Sequence, residues 1–202
     1  MKPTTRRRST SSSPGPRSLA YLSLGSNRGG RRARIERALA AISRFAPVVA
    51  VSAFYRTEPV GHAAQPFFWN AVAAVRWKGG PAKLLRLTQA VERTVGRTPS
   101  FPNGPREIDV DLLDLGGLVR AAPDPVLPHP RLSRRRFVLA PLSEIAPDWT
   151  HPVTGETAAA LLARLPRRPG ATRLSSSPRG FAAPAPASSS PRRSSAAKAS
   201  PR

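Results

Sequence analysis

Cysteine is absent from this chain of 202 residues, so neither a disulfide nor a thiolate metal site is available to it. Its three histidines, His62, His129 and His151, lie far apart in sequence and show no zinc-ligand spacing. No apolar run approaches the roughly 20 residues needed to span a bilayer. The Arg/Ser-rich N-terminus lacks the apolar stretch of a secretory signal, and a cytoplasmic setting is expected. Its composition also suits an organellar transit peptide. The other end of the chain has the same composition, however, and cannot be one.

Acidic residues are scarce as well: 11 Asp+Glu stand against 33 Lys+Arg, for a net charge of +22. All of the acids fall between Glu36 and Glu156. Residues 1–18 carry five basic side chains and residues 167–202 carry eight, with no acid in either stretch. Much of the high isoelectric point therefore belongs to the ends of the chain. The moderately basic middle suits an anionic small molecule and does not demand nucleic acid.

The apolar pattern predicts one domain over residues 19–166. It is flanked by disordered basic tails over 1–18 and 167–202, whose Ser, Pro, Ala, Thr and Arg have little to bury. Leu19–Leu24 reads as a strand, and Gly25-Ser26-Asn27 as a structural turn that shapes the floor of a site, short of any phosphate-cradling motif. Ile35, Leu39 and Ile42 recur at helical spacing between Arg31 and Phe45. Val48–Arg56 and Phe67–Trp77 read as strands, and Pro81 opens a helix striped by Leu84, Leu85, Leu87, Val91 and Val95, with Gly96 as its stop. A further strand around Asp109 follows, then helices over Phe137–Ile145 and Thr157–Leu165. The order strand-helix-strand-strand-helix-strand predicts an α+β fold: a ferredoxin-like βαββαβ antiparallel sheet with packed helices and C-terminal helical additions.

The chemistry concentrates in Asn103-Gly104-Pro105-Arg106-Glu107-Ile108-Asp109-Val110-Asp111. In a strand, Asp109 and Asp111 point to the same face. Burying two like charges side by side is costly unless a cation compensates. Mg²⁺, held by one or two carboxylates together with substrate phosphate oxygens, is the usual solution. Arg106 supplies a fixed fork for those oxygens. A bare Asp-x-Asp also fits a solvated strand end.

The chain resembles the bacterial 6-hydroxymethyl-7,8-dihydropterin pyrophosphokinases of folate biosynthesis. The resemblance runs through Ala20-Tyr21-Leu22-Ser23-Leu24-Gly25-Ser26-Asn27, Ser52-Ala53-Phe54-Tyr55-Arg56-Thr57-Glu58-Pro59 and Gln65-Pro66-Phe67-Phe68-Trp69-Asn70-Ala71. It continues with Gly104 to Asp111, Leu127-Pro128-His129-Pro130-Arg131-Leu132 and Arg136-Phe137-Val138-Leu139-Ala140-Pro141-Leu142. It implies transfer of pyrophosphate from ATP to the pterin's hydroxymethyl oxygen, with two Mg²⁺ ions on Asp109 and Asp111. By the same resemblance Asn70 meets the pterin edge, and Phe68 and Phe137 sandwich its ring. Thr57, Pro59 and Val60 form the loop that meets it, while Glu58 is expected to be solvated. Gln89 and Glu92, at i and i+3 on one helix face, correspond to nucleotide contacts. Arg97, Arg106, His129 and Arg135 correspond to phosphate contacts, and Arg135 is the arginine nearest the reacting group. The family's mobile loop often carries Arg-Trp before Gly-Pro-Arg; Pro102-Asn103 stands there instead, and Arg97 is the only basic residue between Gly96 and Gly104. Trp77 and Trp149 are expected to pack, and His62 and His151 to sit on the surface.

A monomer acting on small molecules, with no membrane partner, is the corresponding expectation. The rival reading is a nucleic-acid-binding module, suggested by the charge, the sheet and the basic tails. The strands lack the paired aromatics of RNA-binding sheets. Two Asp on a central strand would also repel phosphate unless a metal intervened. Contact of the tails with nucleic acid or acidic surfaces is a separate expectation, and deleting them should abolish low-salt RNA retention if it holds.

Overall fold

Parity along two strands sorts the apolar residues into two cores. Along β1 (Ser18–Ser26), Ala20, Leu22 and Leu24 point into one core and Tyr21 into the other. Along β4 (Phe68–Trp77), Ala71, Ala73 and Val75 join the first core, and Val72 and Ala74 the second. Helices α1 (Arg31–Ser43) and α2 (Pro81–Val95) cover the first face through Ile35, Leu39, Ile42, Leu84, Val91 and Val95. Helices α3 (Arg136–Ile145) and α4 (Ala158–Arg164) cover the second through Val138, Leu139, Leu142 and Leu161. The computed structural model describes residues 18–59, 64–101, 104–122 and 124–181. Val60, His62, Pro102 and Asn103 lie outside the described residues, as do 1–17 and 182–202 with the expectations made for them.

The remaining strands are β2 (Val48–Val51), β3 (Tyr55–Thr57), β5 (Asp109–Leu115) and β6 (Ala171–Arg173). All pairings are antiparallel, in the order β5-β1-β4-β3-β6, with β2 also on β4. With β2 and β3 as halves of one strand, this is the ferredoxin-like βαββαβ sheet expected from the sequence. Helix α2 ends where expected, at Gly96, whose φ of 99° a side chain would resist.

Four expectations need correction. The strand expected over Val48–Arg56 is broken at Ser52-Ala53-Phe54. There the Ser52 hydroxyl accepts from the Val72 N–H at 3.0 Å and Ala53 N–H donates to Glu144 at 3.2 Å, while Phe54 turns into the first core. The Asp109/Asp111 strand is an edge strand, not a central one. Order continues past Pro166: β6 pairs with β3, and Leu174 and Phe181 pack on the first core. His151 is buried, because its Nδ1 accepts the Val153 and Thr154 N–H groups of a turn folded over it. Trp77 and Trp149 do pack, as expected.

A bulge in β5 matters for stability. Tyr21 lies opposite Asp114 but Leu22 opposite Leu112, so one extra residue puts Leu113 and Asp114 on the same side. Asp114 is thereby buried beside Trp149, whose Nε1–H donates to it at 3.2 Å, while its other oxygen has no partner among the described residues. Burial pushes this carboxyl above the usual range, against hydrogen bonds from Trp149, Gly117 and Leu115 and the charge of His151. A carboxyl raised in the folded state favours folding below its unfolded value and loses that contribution as pH rises through the raised value. Asp114→Asn keeps an acceptor for Trp149 without the buried charge. It should raise Tm by about 2–4 °C at pH 7, and the gain should vanish near pH 3.5. Thermal melts at the two pH values check this.

Candidate active site

The same parity aims polar groups from three strands at one place. Gly25 of β1 lies between Asp109 of β5 and Asn70 of β4, and Ser23 lies between Asp111 and Val72. These residues face the side covered by α3, beyond the end of the second core, where the sheet is left open. A cavity of about 370 Å³ forms there, of ordinary size for a small-molecule site. Asp109, Asp111, Asn70 and Thr57 line it from the sheet, with Phe68 at the start of β4 and Phe137 across from it on α3. Arg106 closes it before β5, and Arg135 precedes α3 on the opposite wall.

Gly25 is the contact that makes the floor. A Cβ on it would stand 2.6 Å from the side-chain oxygen of Asn70. Asn70 is buried and donates from Nδ2 to the Thr57 hydroxyl at 2.7 Å, so its amide is held edge-on to the cavity. The turn expected over Gly25-Ser26-Asn27 needs correction: Gly25 and Ser26 are still paired in β1, and the chain leaves the strand only at Asn27. The Asn27 side chain accepts the Arg106 N–H at 2.7 Å and donates to Gln65 at 2.9 Å, tying the start of the Asp strand to β1.

The carboxylates are ringed by guanidiniums. Asp109 takes Arg97 at 2.8 Å and Arg106 at 2.9 Å. Asp111 takes Arg135 at 3.2 Å, with the His129 Nε2 4.0 Å away. His129 Nδ1 accepts the Arg131 N–H at 3.1 Å, which leaves the proton of the neutral ring on Nε2, facing Asp111. Burial drives this histidine below its ordinary range. Asp111 pulls it upward, while Arg135 and Arg131 press it down. Arg135 also lies over the Phe137 ring, 5.3 Å from its centroid.

Not every expected residue reaches the cavity. Glu92 is buried beneath β5, where it accepts the Val110 N–H at 2.7 Å and pairs with Arg97; Gln89, three residues earlier, is exposed. Neither lines the cavity. Arg97 and His129 stand behind the carboxylates, and Pro59 flanks the lining pair Thr57 and Glu58. Val60 lies outside the described residues. Sequence reasoning missed Ser23, Gly104, Arg131 and Arg134 as lining residues, and it left Glu58 to solvent although Glu58 also lines the wall; Gly25, read as part of the segment that shapes the site floor, does line it. The strand register, which sets Ser23 opposite Asp111, exposes the first of the missed residues. A run of arginines before Phe137 was the available signal for Arg134.

Such a wall of arginines facing paired carboxylates belongs to enzymes that transfer phosphoryl or pyrophosphoryl groups chiefly by positioning and charge neutralisation. Comparison with known proteins narrows the class. Residues 21–147 match the model of the 7,8-dihydro-6-hydroxymethylpterin-pyrophosphokinase family. A 2-amino-4-hydroxy-6-hydroxymethyldihydropteridine pyrophosphokinase of Porphyromonas gingivalis is 41% identical over 139 residues, covering 66% of this chain and 94% of that protein. The Bacillus subtilis protein of the same name is 40% identical over 129 residues, covering 63% and 77%. The folic acid synthesis protein fol1 of Schizosaccharomyces pombe is 37% identical over 150 residues, but the chain, 73% of which is covered, spans only 20% of its length. In fold, the chain matches the HPPK-DHPS of Plasmodium falciparum with a TM-score of 0.60 at 14% identity, over 73% of this chain and 44% of that one. The chain belongs to the 7,8-dihydro-6-hydroxymethylpterin-pyrophosphokinase family, and it is a pyrophosphokinase. No helix among the described residues is long and apolar enough to cross a membrane.

Proposed function

We propose that this chain transfers the β,γ-pyrophosphate of ATP to the hydroxymethyl oxygen of 6-hydroxymethyl-7,8-dihydropterin. The observation that carries this reading is the convergence of Asp109, Asp111, Asn70, Phe68 and Phe137 on one cavity. The pterin oxygen forms a bond to the β-phosphorus as the bond from that phosphorus to the α,β-bridging oxygen breaks. AMP leaves with the electron pair, and the hydroxyl proton passes to water.

The donor set fits magnesium. Two partly exposed carboxylates share a strand face, and no third His, Cys, Asp or Glu joins them in a metal-binding group among the described residues. That suits a hard cation completed by phosphate oxygens and water. Asp109 and Asp111 would hold two Mg²⁺ ions, which when bound neutralise phosphate charge and orient the triphosphate. The other roles fall to the chain itself. Arg106 and Arg135, on opposite walls, grip the transferred group and the leaving phosphate. Asn70 keeps its carbonyl and one amide hydrogen for the pterin edge, its second hydrogen being spent on Thr57. Phe68 and Phe137 offer flat faces to the ring, and Thr57 with the following Pro59 borders it. Arg97 and His129 act on the phosphates from behind the carboxylates, and Gln89 and Glu92 act through α2 rather than from the wall. The enzyme is read as a cytoplasmic monomer.

The test is AMP release from ATP and Mg²⁺, with and without hydroxymethyldihydropterin. Pterin-dependent AMP is the expected result. Release of ADP would instead mean transfer of the γ-phosphoryl group, and no pterin-dependent turnover by folded protein would overturn the assignment.

A further inference from the structure

The loop that leads into the carboxylate strand is poorly equipped to grip a polyphosphate. Between Gly96 and Gly104 its one basic residue is Arg97, and that guanidinium is already bound to Glu92 and Asp109. The charges around the carboxylates balance: Glu92, Asp109 and Asp111 are matched by Arg97, Arg106 and Arg135. The opposite wall is different. The turn before α3 and the first residue of that helix carry Arg131, Arg134, Arg135 and Arg136 within six residues. Arg135 is held by Asp111, and Arg136 caps α4 by donating to the carbonyls of Leu162, Leu165 and Pro166 at 3.2, 2.7 and 2.9 Å. Arg131 and Arg134 line the cavity, and neither guanidinium makes a hydrogen bond or ion pair with a described residue. Arg134 also lines a smaller cavity of about 130 Å³ that adjoins the first beside Thr57 and Phe137.

We propose that Arg131 and Arg134 are the polyphosphate clamp of this enzyme, taking from the turn before α3 the role that the loop before β5 cannot fill. Four arginines face three carboxylates in the described lining, the third acid being Glu58, which accepts the Gly170 N–H. Arg131 and Arg134 are the lining guanidiniums that no described carboxylate holds, so they confer affinity for the triphosphate rather than for the nucleoside. Arg134, at the junction of the two cavities, holds the pyrophosphate as it passes from donor to acceptor. Both are binding and positioning residues. Their exposure at the cavity mouth makes their removal harmless to the fold.

This inference rests on the pyrophosphokinase reading, and the experiment separates the two. Calorimetry on wild type, Arg131→Ala, Arg134→Ala and the double variant would use α,β-methylene-ATP and AMP as probes with Mg²⁺ present, beside steady-state AMP release. Each single change should weaken the triphosphate analogue and raise KM for ATP about tenfold, and the pair about a hundredfold. AMP affinity and the pterin KM should stay within about twofold, and Arg134→Lys should recover much of the loss. Equal weakening of AMP and the analogue, or no weakening of either, in an otherwise active enzyme overturns the clamp alone. A wild type without pterin-dependent AMP release overturns the reaction assignment on which it stands.

Discussion

Asp111→Asn is expected to lower pterin-dependent AMP release by about a thousandfold or more while the protein stays folded. The side chain is partly exposed and points into the cavity, so removing its charge leaves no unfilled volume. Its bonded neighbour is Arg135, 3.2 Å away, and asparagine still offers that guanidinium an oxygen. What is lost is one of the two carboxylates proposed to hold Mg²⁺, in a cavity whose other described lining acid, Glu58, stands on the wall beside Thr57. The defect should therefore appear in kcat and in the Mg²⁺ dependence, with the melting temperature within a few degrees of wild type. Asp109→Asn should be as inactive and less well folded, because Arg97 and Arg106 both lean on that carboxylate. Steady-state kinetics across a magnesium titration, with thermal melts on the same samples, would decide. Retention of a tenth of the activity in either variant would mean that the carboxylates only balance arginine charge.

Strands β1 and β4 and the helices α1 to α4 were legible because apolar residues recur with the right period. Ile35, Leu39 and Ile42 sit where a helix with one buried face puts them, and all are buried. The segment after Pro166 was not legible. Its Ser, Pro and Arg residues carry no apolar alternation, yet β6 is tied to β3 by backbone pairing, which side-chain composition does not report. Glu58 and Gly170 add a bond at the end of that ladder, the Gly170 N–H donating to the carboxylate at 3.3 Å. The motif residues of the site were visible from spacing and resemblance. Glu92 shows the limit of that approach: three residues from Gln89 it does share a helix face, but whether that face meets ligand or strand depends on how α2 docks. Here the face meets β5, and the Val110 N–H claims the carboxylate. Burial pushes Glu92 upward, and the bonds from Val110 and Arg97 work against it.

Gly25→Ala should raise the pterin KM by about a hundredfold through a single methyl group. The position is in extended β1, where alanine has no backbone objection, so the whole effect is one of space. The new Cβ would stand 2.6 Å from the Asn70 oxygen, well inside contact distance, and Asn70 is pinned on its other side by Thr57. Either Asn70 swings away from the cavity or β1 and β4 part, and both misplace the amide proposed to meet the pterin. The accompanying strain should cost about 1–3 kcal/mol of stability. The double variant Gly25→Ala/Asn70→Ala separates the two consequences, since shortening Asn70 removes the clash and the amide together. Its melting temperature should return toward that of Asn70→Ala, while its pterin KM stays high. ATP binding, assigned in the proposal to the arginine wall and the carboxylates, should change little in all three. If Gly25→Ala binds pterin normally, Asn70 is not the recognition group, and the floor of the cavity is only packing.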